Sequence, residues 1–316
     1  MMEKNARICI VGDKGTLGHA IKHQLQNEGY TNIISCDIPE VDCTSQEQVE
    51  KFFQEKRPEY VFFLAAISAG IEYKRKYPVE VMLKNLQMET NILSCSHEIN
   101  CRRLLNVCSA LLYPSTAKIP FREIDATFTN LNEIDTPYSL AKAAGFQLCQ
   151  YYKREYGDDF FTVVPCNFFG EYAAFDGDRA GVVPSLIRRI SEAKEKRISE
   201  VTVWGTGNAC REFLNSKDVA DACIYLMNSS FEYELINIGR GHEFSIRETA
   251  ETIVKVVGYE GNLVFDVNKP EGRLHMQLDT DRLFSTGWRP SMNLEESIED
   301  AYNWYCNNGR KGKIDD

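Results

Sequence analysis

The sequence has no long apolar segment, no closely spaced cysteine pair and no excess of positive charge. No run approaches the roughly 20 apolar residues that span a bilayer, so no membrane partner is predicted. With 36 Lys and Arg against 46 Asp and Glu, the formal net charge is -10, which argues against a nucleic-acid-binding surface. Eleven cysteines without a CxxC pair favour reduced, buried thiols over a disulfide framework or a metal site.

What remains is the composition of an ordinary soluble protein. The 316 residues are 43% hydrophobic and 26% charged, and this length favours two lobes. The chain starts MMEKNARICIVG and runs directly into an apolar strand. Because this start lacks a signal-peptide pattern, we expect a cytoplasmic protein.

Apolar strand patterns alternate with amphipathic helix patterns through the first half of the chain. The predicted strands are residues 7–11, 32–36, 60–65, 104–108 and 160–165, and the predicted helices are residues 17–29, 46–54, 78–100 and 138–156. This alternation is typical of a doubly wound parallel sheet of the Rossmann type, with helices on both faces. We therefore predict an α/β fold.

After residue 167 the pattern loosens into shorter elements. Helices are predicted at residues 182–197, 218–227 and 245–257, and strands at residues 201–204 and 235–238. The helix at 245–257 opens with a capping box formed by Ser245 and Glu248.

These patterns predict two domains. Residues 1–167 are assigned to an NAD(P)-binding Rossmann domain, to which residues 213–240 return. Residues 168–212 and 241–316 are assigned to a smaller, mixed α/β lobe that binds the substrate.

A glycine-rich turn with the spacing GxxGxxG, residues 12–18, follows the first predicted strand. Glycines at these positions let backbone N–H groups approach a pyrophosphate at the start of a helix. The predicted cofactor contacts in this turn are Gly12, Gly15, Thr16, Leu17 and Gly18.

Asp37 ends the second predicted strand, near the expected distance of about 20 residues from the glycines. A carboxylate there accepts hydrogen bonds from a ribose 2′-hydroxyl and repels a 2′-phosphate, which favours NAD(H). Lys14, inside the glycine turn, is a cation that could meet that phosphate. NADP(H) therefore stays possible.

Tyr138 and Lys142 are four residues apart in a predicted helix, so their side chains share one face. A lysine cation near a tyrosine favours the phenolate and lowers its pKa, which suits proton transfer. Ser109 follows the fourth predicted strand, at the edge of the sheet where parallel strands present ligands. Its hydroxyl could hold a substrate oxygen beside Tyr138.

These motifs resemble those of the extended short-chain dehydrogenase/reductases that act on nucleotide sugars, and within them those of the GDP-L-fucose synthase group. The shared segments are LAA at 64–66, YP at 113–114, PYSLAK at 137–142, NFFG at 167–170, VWGTG at 203–207 and REFL at 211–214. The resemblance spans nearly the whole chain. It implies hydride transfer on a GDP-sugar, in the biosynthesis of a capsule or surface polysaccharide.

The resemblance also implies roles for individual residues. Ser109, Tyr138 and Lys142 would form the catalytic set. Further cofactor contacts would come from Ile38, Leu64, Ala65, Ala66, Tyr138 and Lys142, and the nucleotide diphosphate sugar would be held by Asn167, Arg189, Trp204 and Arg211. Because relatives dimerise through two long helices per subunit, residues 78–100 and 138–156 would form a homodimer or a larger homo-oligomer.

Two departures from the group matter for the reaction. The epimerising members carry a cysteine two residues after the catalytic serine and a histidine just before the Val-Ile-Pro segment. Here these positions are Leu111 and Gly181, which have no titratable proton. We therefore predict no epimerisation at C3 and C5 of the sugar.

Hydride transfer at C4 of a GDP-linked hexose, deoxyhexose or heptose remains. Asp37 favours oxidation with NAD to a 4-keto sugar. The alternatives are an NADPH-dependent 4-keto reductase, a 4-epimerase that keeps its NAD, and a non-catalytic dinucleotide-binding regulator.

Overall fold

The computed structural model describes residues 1–68, 71–126, 136–177, 180–269 and 271–308. The strands within these ranges are β1 (Ile8–Val11), β2 (Ile33–Cys36), β3 (Tyr60–Phe63), β4 (Arg103–Val107), β5 (Phe160–Pro165), β6 (Asn167–Phe169), β7 (Glu200–Trp204), β8 (Cys210–Arg211), β9 (Phe213–Asn215), β10 (Leu235–Ile238), β11 (Phe244–Ser245) and β12 (Asn262–Asp266). The α-helices are α1 (Thr16–Asn27), α2 (Gln46–Lys56), α3 (Ile71–Lys76), α4 (Pro78–Glu98), α5 (Thr136–Tyr156), α6 (Val182–Glu195), α7 (Ser216–Asn228), α8 (Ile246–Val257), α9 (Asp281–Ser285) and α10 (Leu294–Asn307). Two 3₁₀ helices span Ala110–Leu112 and Glu123–Asp125.

The main sheet consists of six parallel strands in the order β10–β5–β4–β3–β1–β2. Every side chain of β1, β3 and β5 is buried, because helices cover both faces of the sheet. This explains why these strands are continuous apolar runs rather than alternating patterns. The predicted Rossmann-type α/β fold is confirmed.

The two faces of the sheet have separate apolar cores. Ile8 and Ile10 belong to one core, and Cys9 and Val11 belong to the other, since successive side chains of a strand point to opposite faces. Helices α1 and α7 pack together, while α4 packs against α2 and α5. The carboxyl ends of all six strands therefore lie along one free edge, where ligands bind in such sheets.

A third apolar core lies among α6, β7, α8 and α10. Beside it, β7 pairs with β12, β8 pairs with β11, and β6 pairs with β9. This separate core supports a second lobe made of residues 168–212 and 241–316. Those boundaries remain a prediction.

Most predicted long elements agree with the structure to within a few residues. The predicted third strand reaches residue 65, whereas the observed strand ends at Phe63. There the N–H groups of Leu64 and Ala65 both donate to the carbonyl of Val11, at 2.9 and 3.0 Å, which turns the chain out of the sheet. The capping box of Ser245 and Glu248 is present.

The sequence analysis missed the short strands β6, β8, β9, β11 and β12 and the helices α3, α9 and α10, whereas β7 was predicted at residues 201–204. For α10 a signal was available, since Asn293 and Glu296 form a second capping box at its start. Nine of the eleven cysteines are buried, in line with the prediction of buried thiols. Within the described ranges, no helix combines the length and apolarity required to cross a membrane.

Candidate active site

The glycine turn connects β1 to α1. Two of its glycines lie in close contact with neighbouring backbone atoms. Gly12 has a φ of +90°, and a Cβ on it would lie 2.9 Å from the Cα of Ala65. A Cβ on Gly18 would lie 2.2 Å from the carbonyl oxygen of Gly12. Both positions therefore require glycine. The contact also brings the predicted cofactor segment Leu64, Ala65 and Ala66 against the turn.

Gly15 stands at the N-cap of α1, where it has no side chain to cap the helix. Among the described residues, a Cβ on Gly15 would find only the Gly12 carbonyl within 4 Å, at 3.6 Å. This side of the turn is open, and the first N–H groups of α1, at Thr16, Leu17 and Gly18, face an anion-binding position. The turn fits the pyrophosphate of a dinucleotide.

Asp37 lies beside this turn, directly after β2. Its Oδ2 accepts a hydrogen bond from the backbone N–H of Lys14 at 3.3 Å, and its Oδ1 accepts one from the N–H of Ile38 at 2.8 Å. The ammonium group of Lys14 donates to the carbonyl of Ile38 and lies 3.8 Å from Glu40. Asp37, which could accept hydrogen bonds from ribose hydroxyls, and Lys14, which could bind a 2′-phosphate, thus lie side by side at the glycine turn. This arrangement is compatible with NAD(H) and with NADP(H).

Tyr138 and Lys142 lie one turn apart on α5, and both side chains are buried. The ammonium of Lys142 donates to Oε1 of Glu89, a buried residue of α4. The sequence reading missed Glu89. Its signal was a charged residue on the buried face of α4, one residue after the buried Met88 and three before the buried Ile92.

The electrostatics differ from the expectation that Lys142 alone would lower the pKa of Tyr138. Burial raises the pKa of Tyr138 above its ordinary value, and this outweighs the opposing effect of Lys142. Burial by itself would lower the pKa of Lys142, but the carboxylate of Glu89 reverses this and the net shift is upward. At neutral pH, Tyr138 is therefore a phenol that can donate a proton.

Ser109 follows β4 and is the N-cap of the 3₁₀ helix Ala110–Leu112, which packs against α5. Its Oγ accepts a hydrogen bond from the N–H of Leu111 at 3.3 Å. That bond uses an oxygen lone pair, so the hydroxyl hydrogen can still be donated to a substrate oxygen. Ser109 thus both caps the short helix and faces the edge where Tyr138 lies.

Lys74, on α3, is a second cation beside the tyrosine. Its Nζ lies 4.9 Å from the centroid of the Tyr138 ring, and the side chain is buried. The sequence reading did not assign it a role.

Three of the four predicted substrate residues, Arg189, Trp204 and Arg211, belong to the predicted second lobe and are linked by contacts. Arg189, on α6, donates to the carbonyl of Thr202 in β7, the strand that ends at Trp204. The next residue, Gly205, approaches Glu271, and a Cβ on Gly272 would lie 3.2 Å from the guanidinium of Arg211.

Asn167 completes this group at the start of β6. Its amide lies 3.5 Å from the carbonyl of Glu212, the residue after Arg211. Trp204 is 58% exposed, so it is not a core tryptophan and its ring can stack on a ligand. Burial lowers the pKa of both Arg189 and Arg211, because each guanidinium is partly withdrawn from water. Such cations suit a diphosphate.

Three further contacts connect the predicted second lobe to the Rossmann sheet and its helices. The hydroxyl of Thr16 donates to the carbonyl of Tyr172 at 3.2 Å, and the ring of Tyr172 stacks on His19 with centroids 3.8 Å apart. Arg273 donates to the carbonyl of Tyr113 at 3.3 Å. These contacts join residues of the predicted second lobe to the glycine turn and helix α1 and to the segment that follows Ser109.

Leu111 and Gly181 occupy the positions at which the related epimerases carry their acid and base. Leu111 is half-buried in the 3₁₀ helix after Ser109. Gly181 is the N-cap of α6, and a Cβ on it would lie 3.6 Å from Pro184, which is an ordinary contact. Space therefore does not exclude a side chain at residue 181.

The comparisons with known proteins identify the family of this chain. The profile of the NAD dependent epimerase/dehydratase family matches residues 8–239. GDP-L-fucose synthase 1 of Arabidopsis thaliana is 38% identical over 308 residues, covering 98% of this chain and 95% of that protein.

Two solved structures from Campylobacter jejuni superpose over nearly the full length. A GDP-D-glycero-L-gluco-heptose synthase, in the presence of NADPH, is 31% identical with a TM-score of 0.90 and covers 97% of this chain and 100% of that one. A GDP-mannoheptose C4 reductase with NADP bound is 32% identical with a TM-score of 0.88 and the same coverage. The chain belongs to the NAD dependent epimerase/dehydratase family.

Proposed function

We propose that this protein reduces the 4-keto group of a GDP-linked sugar to an alcohol and does not epimerise C3 or C5. The observation that carries the proposal is the buried Tyr138–Lys142 pair beside Ser109, at the carboxyl edge of a Rossmann-type sheet. The substrate class rests on the relatives, whose names refer to GDP-sugar synthases and a C4 reductase.

The chain's own residues would bind the two ligands and move the proton. A bound nicotinamide dinucleotide supplies the hydride that forms the new C–H bond at C4. Ser109 donates a hydrogen bond to the C4 oxygen, and Tyr138 transfers its phenolic proton to that oxygen as the C=O bond becomes C–OH. Lys142 stabilises the resulting tyrosinate until a proton returns from solvent.

The printed name of one relative and the resting state of Tyr138 both support reduction as the direction of the reaction. The sequence favoured oxidation, for which a tyrosinate base is needed. Burial instead keeps Tyr138 protonated, which is the form that assists reduction. One relative is named a C4 reductase. We therefore favour the 4-keto reductase over the 4-dehydrogenase.

For the cofactor we propose a preference for NADH, set by Asp37. Its carboxylate is held in place by two backbone N–H groups and would accept the ribose hydroxyls. Glu40 adds a second negative charge beside the glycine turn and forms an ion pair with Lys14. The competing assignment is NADPH, because two relatives were solved with NADP(H) and Lys14 could bind the 2′-phosphate.

The absence of epimerisation rests on Leu111 and Gly181. Exchange at C3 and C5 needs an acid and a base, and neither side chain carries a titratable proton. The product should therefore keep the configuration of the 4-keto substrate at both carbons.

The direct test uses purified protein with GDP-4-keto-6-deoxymannose and either NADH or NADPH. Loss of the reduced nicotinamide absorbance, with one equivalent of GDP-6-deoxyhexose formed, is the expected result. The matched reverse assay uses the GDP-6-deoxyhexose product and NAD, and a separate assay tests GDP-mannose with NAD. Oxidation of GDP-mannose without any reduction of the 4-keto sugar would make the 4-dehydrogenase the correct assignment.

A further inference from the structure

Glu89 forms a buried ion pair with Lys142 but has no part in the proton transfer described above. Both side chains are 1% exposed, and the pair joins α4 to α5 directly behind Tyr138. Oε2 of Glu89 has no hydrogen-bond partner among the described residues. A buried carboxylate with one unsatisfied oxygen is costly, and apolar side chains would stabilise the interface equally well. Stability alone therefore does not explain Glu89.

The fold makes space for this carboxylate. A Cβ on Gly145 would lie 1.9 Å from Oε2 of Glu89 and 2.3 Å from its Cδ. Glycine in the interior of a helix costs about 0.5–1 kcal/mol relative to alanine. Helix α5 thus has a glycine, Gly145, at the turn that packs against Glu89. This glycine lies three residues after Lys142 and lowers the stability of the helix.

Among the described residues, three further side chains lie near Tyr138. Lys74 on α3 lies over its ring, Ser68 hydrogen-bonds to it, and the thiol of Cys108 after β4 is close by. Cys149 faces Lys142 and Glu89 from α5. Burial raises the pKa of Cys108 to about 12 and that of Cys149 further, so both thiols are neutral at physiological pH. Lys74, Lys142 and Glu89 therefore determine the charge around the phenol.

The Glu89–Lys142 pair is neutral as a unit. This holds whether the proton resides on the ammonium or on the carboxylate, because the sum of the two charges is zero in both cases. A single lysine cation would pull Tyr138 towards the phenolate. Paired with Glu89, the same lysine can still orient the phenol and stabilise a transient tyrosinate. In the resting state, however, it stabilises the phenolate form of Tyr138 less than an unpaired lysine would.

We propose that Glu89 is a positioning residue that offsets the charge of Lys142 and thereby keeps Tyr138 as the protonated phenol that donates to the substrate oxygen. This inference rests on the proposed reductase function and explains how the phenol is kept in the form that donates a proton. It assigns Glu89 an effect on the reaction through Lys142, without contact with the substrate.

The test measures the ionisation of residue 138 directly. The full-length protein is labelled with 3-fluorotyrosine, whose phenol is more acidic than that of tyrosine, and the ¹⁹F resonance of residue 138 is identified by its loss in Tyr138→Phe. Titrations compare the wild type with Glu89→Gln, Lys142→Met and the double variant. Glu98→Gln, an exposed acid on the same helix α4, is the matched control.

The expected order of the residue 138 pKa, from low to high, is Glu89→Gln, wild type, the double variant, Lys142→Met. Glu89→Gln should lower it by about one unit, a tenfold change in the acid dissociation constant, and Glu98→Gln should leave it unchanged. In the reductive assay, the alkaline limb of kcat/KM should move to lower pH by the same amount. A structural role alone would not move this limb.

The proposal is overturned if folded Glu89→Gln titrates like the wild type. If Glu89→Gln does not fold, the double variant decides the question, because it contains no unpaired buried charge. A residue 138 pKa in the double variant below that of Lys142→Met supports the role of Glu89, and equal values overturn it. Because the titration needs no substrate, it tests Glu89 even if the wild type fails to reduce a 4-keto sugar, which would count only against the proposed function.

Discussion

Gly145 on α5 lies directly against Glu89 on α4, and a Cβ on residue 145 would be 1.9 Å from Oε2 of the carboxylate. The buried carboxylate of Glu89 can therefore occupy its position only because residue 145 has no side chain. It places a carboxylate within hydrogen-bond reach of Lys142 and so controls the environment of Tyr138.

Gly145→Ala should destabilise the protein by about 1–3 kcal/mol, since the new methyl group overlaps Glu89 in a closely packed interface. Urea denaturation followed by circular dichroism measures this cost. The double variant Glu89→Ala/Gly145→Ala provides the control, because the overlap is then absent. Additive costs of the two substitutions would show that these residues do not interact.

Tyr138→Phe should reduce turnover at least about 100-fold, because phenylalanine keeps the ring and removes the transferred proton. Binding of the dinucleotide, measured by fluorescence titration, should remain. Tyr151→Phe changes a half-exposed tyrosine of the same helix and should leave turnover as it is. Unchanged turnover in Tyr138→Phe would instead favour a non-catalytic dinucleotide-binding protein.

Asp37→Asn should raise the ratio of kcat/KM for NADPH to that for NADH by about tenfold or more. The substitution removes the negative charge that opposes a 2′-phosphate and leaves Lys14 in place. Steady-state kinetics with both cofactors measure the ratio. Asp42→Asn, at an exposed acid five residues further on, is the control. An unchanged ratio would mean that Asp37 does not select the cofactor.

The N-terminal half of α4 carries an exposed apolar stripe, which contains Val79, Met82 and Leu83 and continues from Tyr77. Their spacing puts these side chains on one side of the helix. Together with the half-exposed Tyr151 of α5, the stripe favours the predicted homodimer through these two helices, which remains a proposal.

Leu83→Glu should convert the dimer to a monomer in light scattering, since it buries an unpaired charge in the proposed interface. Val267→Glu, at an exposed valine after β12, is the control and should leave the mass unchanged. A wild-type protein with the mass of a single chain would contradict the proposed dimer.

Local sequence relationships predicted the central part of the site. Tyr138 and Lys142 are four residues apart in one helix, so the period of the helix alone puts them on one face. The glycine turn and Asp37 could likewise be placed, because parallel strands end at a common edge and the strand patterns were clear.

Relationships across the chain could not be predicted in this way. Glu89 contacts Lys142, which lies 53 residues further along the chain. Nothing in the sequence pattern of α4 indicates which helix packs on the face that carries Glu89. The net upward shift of the Tyr138 pKa depends on how deeply the ring is buried, which is a property of the packed molecule. The contacts from Arg189 through β7 to Arg211 likewise depend on strands such as β8, which has only two residues and is too short to show a period.

The central claim, reduction at C4 without epimerisation, is tested most directly by running the reaction in D₂O with GDP-4-keto-6-deoxymannose and reduced cofactor. Proton NMR of the product then reports the deuterium at each ring carbon, with an enzyme-free sample as the control for spontaneous exchange. We predict a C4 alcohol that carries no enzyme-dependent deuterium at C3 or C5, because Leu111 and Gly181 cannot exchange those protons. Deuterium at either carbon with inverted configuration, or no C4 alcohol at all, would contradict the account.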